Sequence, residues 1–272
     1  MTTSWLIQNV HSGSYDPDRC ESIRAQLDAN GMDCRRVVRF PEHELPGPGD
    51  LAGIDILAIY TGDGTVNSAM RKLDGWGGAI LVLPGGTMNL LSKKLHGDRD
   101  VEDIIAHSPA AKRVRPATVE GAGEQALVGM IVGPATSWAA VREDMRHTDI
   151  GDIGSDVSEA LHKTLGGNGV GIEGHDANYP ALNLTPAGDR LRVDGFVADN
   201  AAHLLRHGMA WLGKDFREGP HERIGLFDSV TVTADGEIGI LFDGEAGEAG
   251  AGETFRPGTA PVDFLADIPG AS

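Results

Sequence analysis

The sequence predicts a parallel α/β layer followed by a mainly β region, on three observations. Up to residue 109, short apolar runs at 5–8, 36–40, 57–60 and 79–83 alternate with helix-like stretches, the signature of strands joined by crossover helices. Two of these runs pass directly into glycine-rich turns that open onto a helix. Beyond Pro109 the texture changes: 113–119, 126–132, 182–185, 230–233 and 238–242 read as strands with fewer helical patterns between them.

Taken in order, Trp5-Leu6-Ile7-Gln8 is a short strand that ends at Asn9-Val10-His11-Ser12-Gly13, and Asp16-Pro17 starts a helix through about Ala29, closed by Gly31. A second strand follows at 36–40. The loop 41–50 is too rich in proline and glycine to be regular. Leu57-Ala58-Ile59-Tyr60 runs into Thr61-Gly62-Asp63-Gly64-Thr65-Val66-Asn67. Ala79-Ile80-Leu81-Val82-Leu83 leads into Pro84-Gly85-Gly86-Thr87-Met88-Asn89, after which 90–95 begins a helix. Asp98 caps a short helix containing Val101, Ile104 and Ile105, and Ser108-Pro109 ends it. In the second region, helical patterns occur near 137–146, 156–165 and 201–212. Asp235-Gly236 reads as the turn of a hairpin between 230–233 and 238–242, 244–252 as a flexible loop, and 262–265 as an apolar segment after it.

The paired turns carry the chemistry. Glycine lets a backbone approach a phosphate closely and adopt positive φ, while the amides that open a helix supply unpaired donors at a positive dipole end. Two strand-turn-helix units side by side predict a polyphosphate cradle. Neither turn closes with the Gly-Lys-Ser/Thr of a P-loop, and neither has Gly-x-Gly-x-x-Gly spacing. Strand ends of a parallel sheet gather on one edge, so Asn9, Ser12 and Gly13 at the first strand end belong to the same neighbourhood.

Composition narrows the function classes. A 272-residue chain that is 40% hydrophobic supports one large or two modest packed domains. A formal net charge of -17 with dispersed basic residues argues against a nucleic-acid partner and disfavours strong docking on anionic lipid. No run reaches the eighteen apolar residues of a membrane span, and 1–10 lacks a basic start with a long apolar core, so a cytoplasmic protein is expected. Cys20 and Cys34 lack metal-ligand spacing and read as reduced structural thiols.

The pair of turns at 61–67 and 84–89, separated by one helix and one strand, resembles the Gly-Gly-Asp-Gly-Thr-x-Asn and Pro-x-Gly-Thr-x-Asn of the diacylglycerol kinase catalytic family, which includes bacterial lipid kinases and sphingosine kinases, with Thr61 in place of the first glycine. The resemblance implies a nucleotide-binding domain over 1–108 resembling that of phosphofructokinases. It also implies a β-sandwich over 109–272 that carries the acceptor site and the catalytic base, with the active site in a cleft between the two. The implied activity is ATP-dependent, magnesium-assisted transfer of the γ-phosphoryl group to the hydroxyl of a diacylglycerol-like or sphingoid lipid. ATP and an amphiphilic lipid alcohol are the implied partners; a peripheral membrane contact and a homodimer stay open.

Residue by residue, the nucleotide contacts expected from the resemblance and the turn chemistry are Asn9, Ser12, Gly13, Thr61, Gly62, Asp63, Gly64, Thr65, Asn67, Gly86, Thr87 and Asn89. Asp63, a carboxylate inside a phosphate cradle, is expected to act through a magnesium ion. Arg190-Leu191-Arg192-Val193-Asp194-Gly195-Phe196 resembles the family's structural magnesium segment, with Asp194 as ligand and Leu191 and Phe196 contributing flanking carbonyls; an ordinary Asp-Gly turn is the alternative. Asp-Gly-Glu occurs at 235–237 and again at 243–245. The second copy follows a strand and precedes the glycine-rich stretch as in the family, which implies Glu245 as general base with Asp243 beside it. The chain departs from the family pattern at Thr61, Ser68, Val10 and Leu90-Leu91-Ser92, and lacks its threonine near Arg39. An NAD kinase-like enzyme, which shares Gly-Asp-Gly, and a nucleotide-binding regulatory protein without catalysis are the alternatives.

Overall fold

The computed structural model describes residues 2–11, 16–86, 89–134, 169–196, 221–243 and 245–268. The chain divides into two compact units, 1–116 with 259–272, and 117–258.

In the first unit, β1 (Thr2–Asn9), α1 (Pro17–Ala29), β2 (Met32–Phe40), β3 (Ile56–Thr61), α2 (Asp63–Lys72), β4 (Ala79–Pro84), α3 (Leu90–His96), α4 (Val101–His107) and β5 (Lys112–Val114) are followed, at the far end of the chain, by β18 (Asp263–Ala266). Their sheet has the order β2-β1-β3-β4-β18-β5, parallel except for β5 against β18. β3 and β4 are buried along nearly their whole length, as central strands covered on both faces must be. The chain steps from β1 outward to β2, then in the opposite direction from β3 to β4. Right-handed crossovers therefore put α1 and α2 on opposite faces. One face buries Ile23 and Leu27 of α1 with Val101, Ile104 and Ile105 of α4 against Leu6, Ala58 and Leu81. α2 buries Val66, Ala69 and Met70, and α3 buries Leu91 and Leu95. The direction of the sheet reverses between β1 and β3, which makes their carboxyl ends the place where a ligand crevice opens.

The parallel layer expected from the alternation is present, and several details differ. β2 begins at Met32 rather than 36, because Met32 and Cys34 are buried on the α1 side of the sheet. α4 is capped by Asp100, whose carboxylate accepts from the Asp103 amide at 2.9 Å, and not by Asp98. The expected strand 113–119 is interrupted at Arg115-Pro116: its first half is β5 and its second half, β6, belongs to the second unit. The apolar segment after the glycine-rich stretch is β18, which slots between β4 and β5. Residues 109–116 and 259–272 thus lie with the first unit, whereas a boundary at 108/109 was expected.

The second unit is rich in strands. β6 (Ala117–Gly121), β7 (Glu124–Ala126), β9 (Val170–Ile172), β10 (Asn178–Tyr179), β14 (Val230–Thr233) and β17 (Thr254–Thr259) form one sheet, in the order β10-β9-β14-β17-β6-β7. β8 (Met130–Pro134), β11 (Leu182–Ala187), β12 (Arg190–Phe196), β13 (His221–Phe227), β15 (Ile238–Phe242) and β16 (Glu245–Ala249) form the other, β13-β12-β11-β8-β15-β16. One apolar cluster draws on both, with Val119, Val170, Val232 and Phe255 from the first and Val132, Leu184, Val193 and Ile240 from the second.

Two expectations fail here. Residues 230–233 and 238–242 do not form a hairpin, because β14 pairs with β9 and β17 while β15 pairs with β8 and β16. The stretch 244–252 is not a loop throughout: β16 runs along β15 from Phe242↔Glu245 to Ile238↔Ala249. The buried strand β15 needs a hydrogen-bonding neighbour on that side, and an edge strand of small and acidic residues supplies it. The helical patterns at 137–146, 156–165 and 201–212 lie outside the described residues.

Candidate nucleotide site

The carboxyl ends of β1, β3 and β4 carry the site. Thr61 of β3 is in register with Pro84 of β4, and Gln8 of β1 with Tyr60 of β3, so Asn9 and both glycine turns emerge along one sheet edge. The Asn9 amide donates to the Thr65 hydroxyl at 3.3 Å, while its carbonyl accepts from the His11 amide at 3.0 Å. The first strand end is thereby tied to the first turn.

The glycines of the two turns are explained first by each other. A Cβ on Gly86 would lie 2.5 Å from the Gly62 Cα, and one on Gly85 would lie 2.6 Å from the Thr61 nitrogen. The backbones of the turns touch, and a side chain at either position would separate them. Gly85 was not among the expected site residues, although its place in the Gly-Gly pair is the signal for it. Asn89 closes the second turn on itself. Its side chain accepts from the Gly86 amide at 2.7 Å and donates to the Gly86 carbonyl at 2.8 Å, with Asn89 in the left-handed region at φ 52°. The hydroxyl of buried Thr61 donates to the Gly62 carbonyl at 3.1 Å, so it serves the backbone of its own turn.

Asp63 spans the two turns. One carboxylate oxygen accepts from the Leu90 amide at 2.9 Å and the other from the Leu91 amide at 3.0 Å, the first two donors of α3. Burial pushes the Asp63 carboxyl above the usual carboxylate range, against the opposite pull of those amides and of Lys93. The sequence contained a signal for this contact. α3 has no acidic residue in its first turn and no side-chain cap from Asn89, so its amides require an acceptor from elsewhere.

α2 is different. Its N-cap is Gly62, with no side-chain cap, and the first-turn amides of Asp63, Gly64 and Thr65 have no acceptor within the helix by geometry. They are the donor set that suits a phosphate. Asn67 lies buried in the same helix. Ser12, Gly13 and Thr87 lie outside the described residues.

The expected magnesium ligands do not fit the ion. Leu191, Asp194 and Phe196 all belong to β12, an extended strand with neighbours on both sides. Leu191 and Phe196 are then about 16 Å apart at roughly 3.3 Å per residue. Ligands of one magnesium ion, each at about 2.1 Å, lie within about 4 Å of one another. Asp194 is 1% exposed and faces two guanidinium groups, Arg192 Nε at 3.3 Å and Arg223 Nε at 3.7 Å. The turn alternative fails as well, since Asp194-Gly195 lies within the strand. Gly195 is required because a Cβ there would come within 2.4 Å of the Tyr179 ring. Among the described residues no group of three or more His, Cys, Asp or Glu side chains could hold a metal.

Asp243 is likewise engaged. Its carboxylate accepts from three consecutive amides, Leu127 at 2.6 Å, Val128 at 2.9 Å and Gly129 at 3.2 Å, and its own φ is 46°. Asp243 directly follows β15, whose last residue Phe242 pairs with Glu245 at the start of β16. Asp243 therefore anchors a turn and is not free to share a proton with Glu245. Glu245 itself is exposed at the start of β16, and Glu237 is exposed just before β15.

No curated protein matches the chain. Among solved structures, a diacylglycerol kinase from Bacillus anthracis str. Sterne matches with a TM-score of 0.63 at 12% identity, covering 98% of this chain and 97% of that one. A provisionally assigned diacylglycerol kinase from the same organism matches with a TM-score of 0.66 at 12% identity and the same coverage. These likenesses share the fold. The resemblance carried by the two glycine turns is met directly by a family model, as residues 3–120 of this chain match the diacylglycerol kinase catalytic domain.

Proposed function

We propose that this protein is an ATP-dependent lipid kinase that transfers the γ-phosphoryl group to the hydroxyl of a diacylglycerol-like or sphingoid alcohol. The observation that carries the reading is the uncapped first turn of α2 at the reversal point of a parallel sheet, with the second glycine turn packed against it. In this reading the amides of Asp63, Gly64 and Thr65 bind the phosphates, the Thr65 hydroxyl adds a donor oriented by Asn9, and Gly86 and Asn89 hold the shape of the cradle. Thr61 and Asn67 support the same turn from within. The phosphofructokinase-like description of the first unit and the sandwich description of the second go with this reading.

Phosphoryl transfer asks little covalent work of the protein: charge stabilisation, in-line positioning and a group that accepts the hydroxyl proton. Glu245, an exposed carboxylate, is our candidate for that base. A divalent ion supplies charge neutralisation on the phosphates in such reactions. Because the expected ligands do not fit one, no step here is assigned to it.

Two measurements test the reading. With labelled ATP, magnesium and a lipid extract, the protein is expected to label a lipid. Transfer to NAD alone would replace the acceptor class, and ATP binding without transfer would leave a regulatory nucleotide-binding protein. Glu245→Gln is expected to lower turnover by about 10² to 10⁴ with ATP affinity near the parent's. A loss under about threefold, with Glu237→Gln the damaging change instead, would move the base to the first Asp-Gly-Glu.

A further inference from the structure

We propose that Asp63 is a positioning residue, whose carboxylate locks the second glycine turn onto the first without help from a metal ion. The inference rests on the reading of the first turn as the phosphate cradle. Three features of the site lead to it. Both Asp63 oxygens are engaged, each with a different backbone amide 27 or 28 residues away in sequence. Those amides belong to Leu90 and Leu91, the residues with which α3 begins directly after the second turn. The backbones of the turns also pack closely, Gly86 against Gly62 and Gly85 against Thr61.

A carboxylate at the mouth of a phosphate site repels the ligand unless its charge is met by something else. Here two charge-assisted hydrogen bonds from the positive end of α3 meet it, one on each oxygen. Asp63 is the first residue of α2, so the same residue contributes its amide to the cradle and its side chain to α3. Moving the second turn therefore moves the donor set of the first. The side chain acts on ATP through backbone placement and not by touching a cation.

The test compares the parent with Asp63→Asn, which preserves shape but turns one acceptor into a donor facing an amide. Amide exchange at Leu90 and Leu91 is expected to be slow in the parent in metal-free buffer without nucleotide, and about tenfold or more faster in the variant, the scale of one hydrogen bond to a charged group. ATP affinity is expected to fall about tenfold, equally with magnesium and with a chelator. KM for ATP rises while kcat at saturating ATP stays within about threefold. Rapid exchange of both amides in the unaltered protein would overturn the proposal whatever the variant does, including a variant that does not fold. A variant that binds metal-free ATP like the parent, and loses only the magnesium-dependent part, would make Asp63 a metal ligand. A lower melting temperature with unmoved KM in the folded variant would make it a structural residue only. Should the parent bind no ATP, the proposed function fails by itself, and the exchange rates alone then decide for or against the clamp.

Discussion

Single carboxylates in this protein have roles set by what lies opposite them. Asp63, Asp194 and Asp243 all occur in Asp-Gly dipeptides, and each is committed differently: to two amides of a helix, to one arginine of its own strand and one of the neighbouring strand, and to three consecutive backbone amides. Asp243 offers a direct measurement. Replacing it with alanine leaves three backbone donors of 127–129 without their acceptor, two of them on buried residues. Asp243→Ala is expected to lower unfolding stability by roughly 2–4 kcal/mol in urea titration, since leaving buried donors unsatisfied costs about 1–3 kcal/mol each with partial relaxation. A change within about 0.5 kcal/mol would mean that the loop finds other partners. Only the hairpin signal of Asp-Gly was legible beforehand; the three amides are 114 to 116 residues away in sequence, and no local pattern indicates them.

At the scale of elements, α1 and α4 cover the same sheet face and are joined by Arg19 and Glu102, whose second contact, Nη2 to Oε2, is 2.8 Å. The hydrogen bond from Arg19 depresses the Glu102 carboxyl to about 2 from an ordinary value of 4.5. With the folded value below the unfolded one, the pair's contribution is present above pH 4.5 and is lost as pH falls toward 2. Both side chains are about a third or more exposed, so the contribution is about 1 kcal/mol or less after screening. Glu102→Gln is expected to shift the urea midpoint slightly at neutral pH and not at all at the acid end of that window. Equal shifts at both ends would remove the ion pair as the cause. The elements themselves were readable from the strand runs and caps because parallel strands buried on both faces leave continuous apolar stretches. Partner choice was not, as β14 and β15 adjoin in sequence yet belong to different sheets.

At the scale of the whole molecule, the chain leaves the first sheet at β5 and returns to it at β18. Phe264, fully buried, stands in register with Ile80 on one side and Val114 on the other. Phe264→Ala is expected to cost about 3–5 kcal/mol and to weaken ATP binding only through unfolding, so affinity measured on the folded fraction stays at the parent value. A variant of unchanged stability would show that β18 is dispensable to the sheet. Asp267, just after β18, receives His96 at 2.8 Å and Arg99 at 3.1 Å, which ties the returning segment to α3. Burial lowers the His96 value, against the opposite pull of the Asp267 carboxylate beside its Nδ1.

By itself the sequence determined the parallel layer, the two strand-turn-helix units and the edge on which they meet, because hydrophobic period, glycine and helix starts are local properties of the chain. It also indicated the residues of the turns. The tertiary structure alone decided what those residues hold. Gly85 and Gly86 make room for the other turn's backbone, Asp63 accepts from α3, and Asp194 lies in a strand between two arginines. A carboxylate binds amide, guanidinium or metal by the same electrostatic attraction, so its type and spacing leave the partner open until folding brings one within about 3 Å.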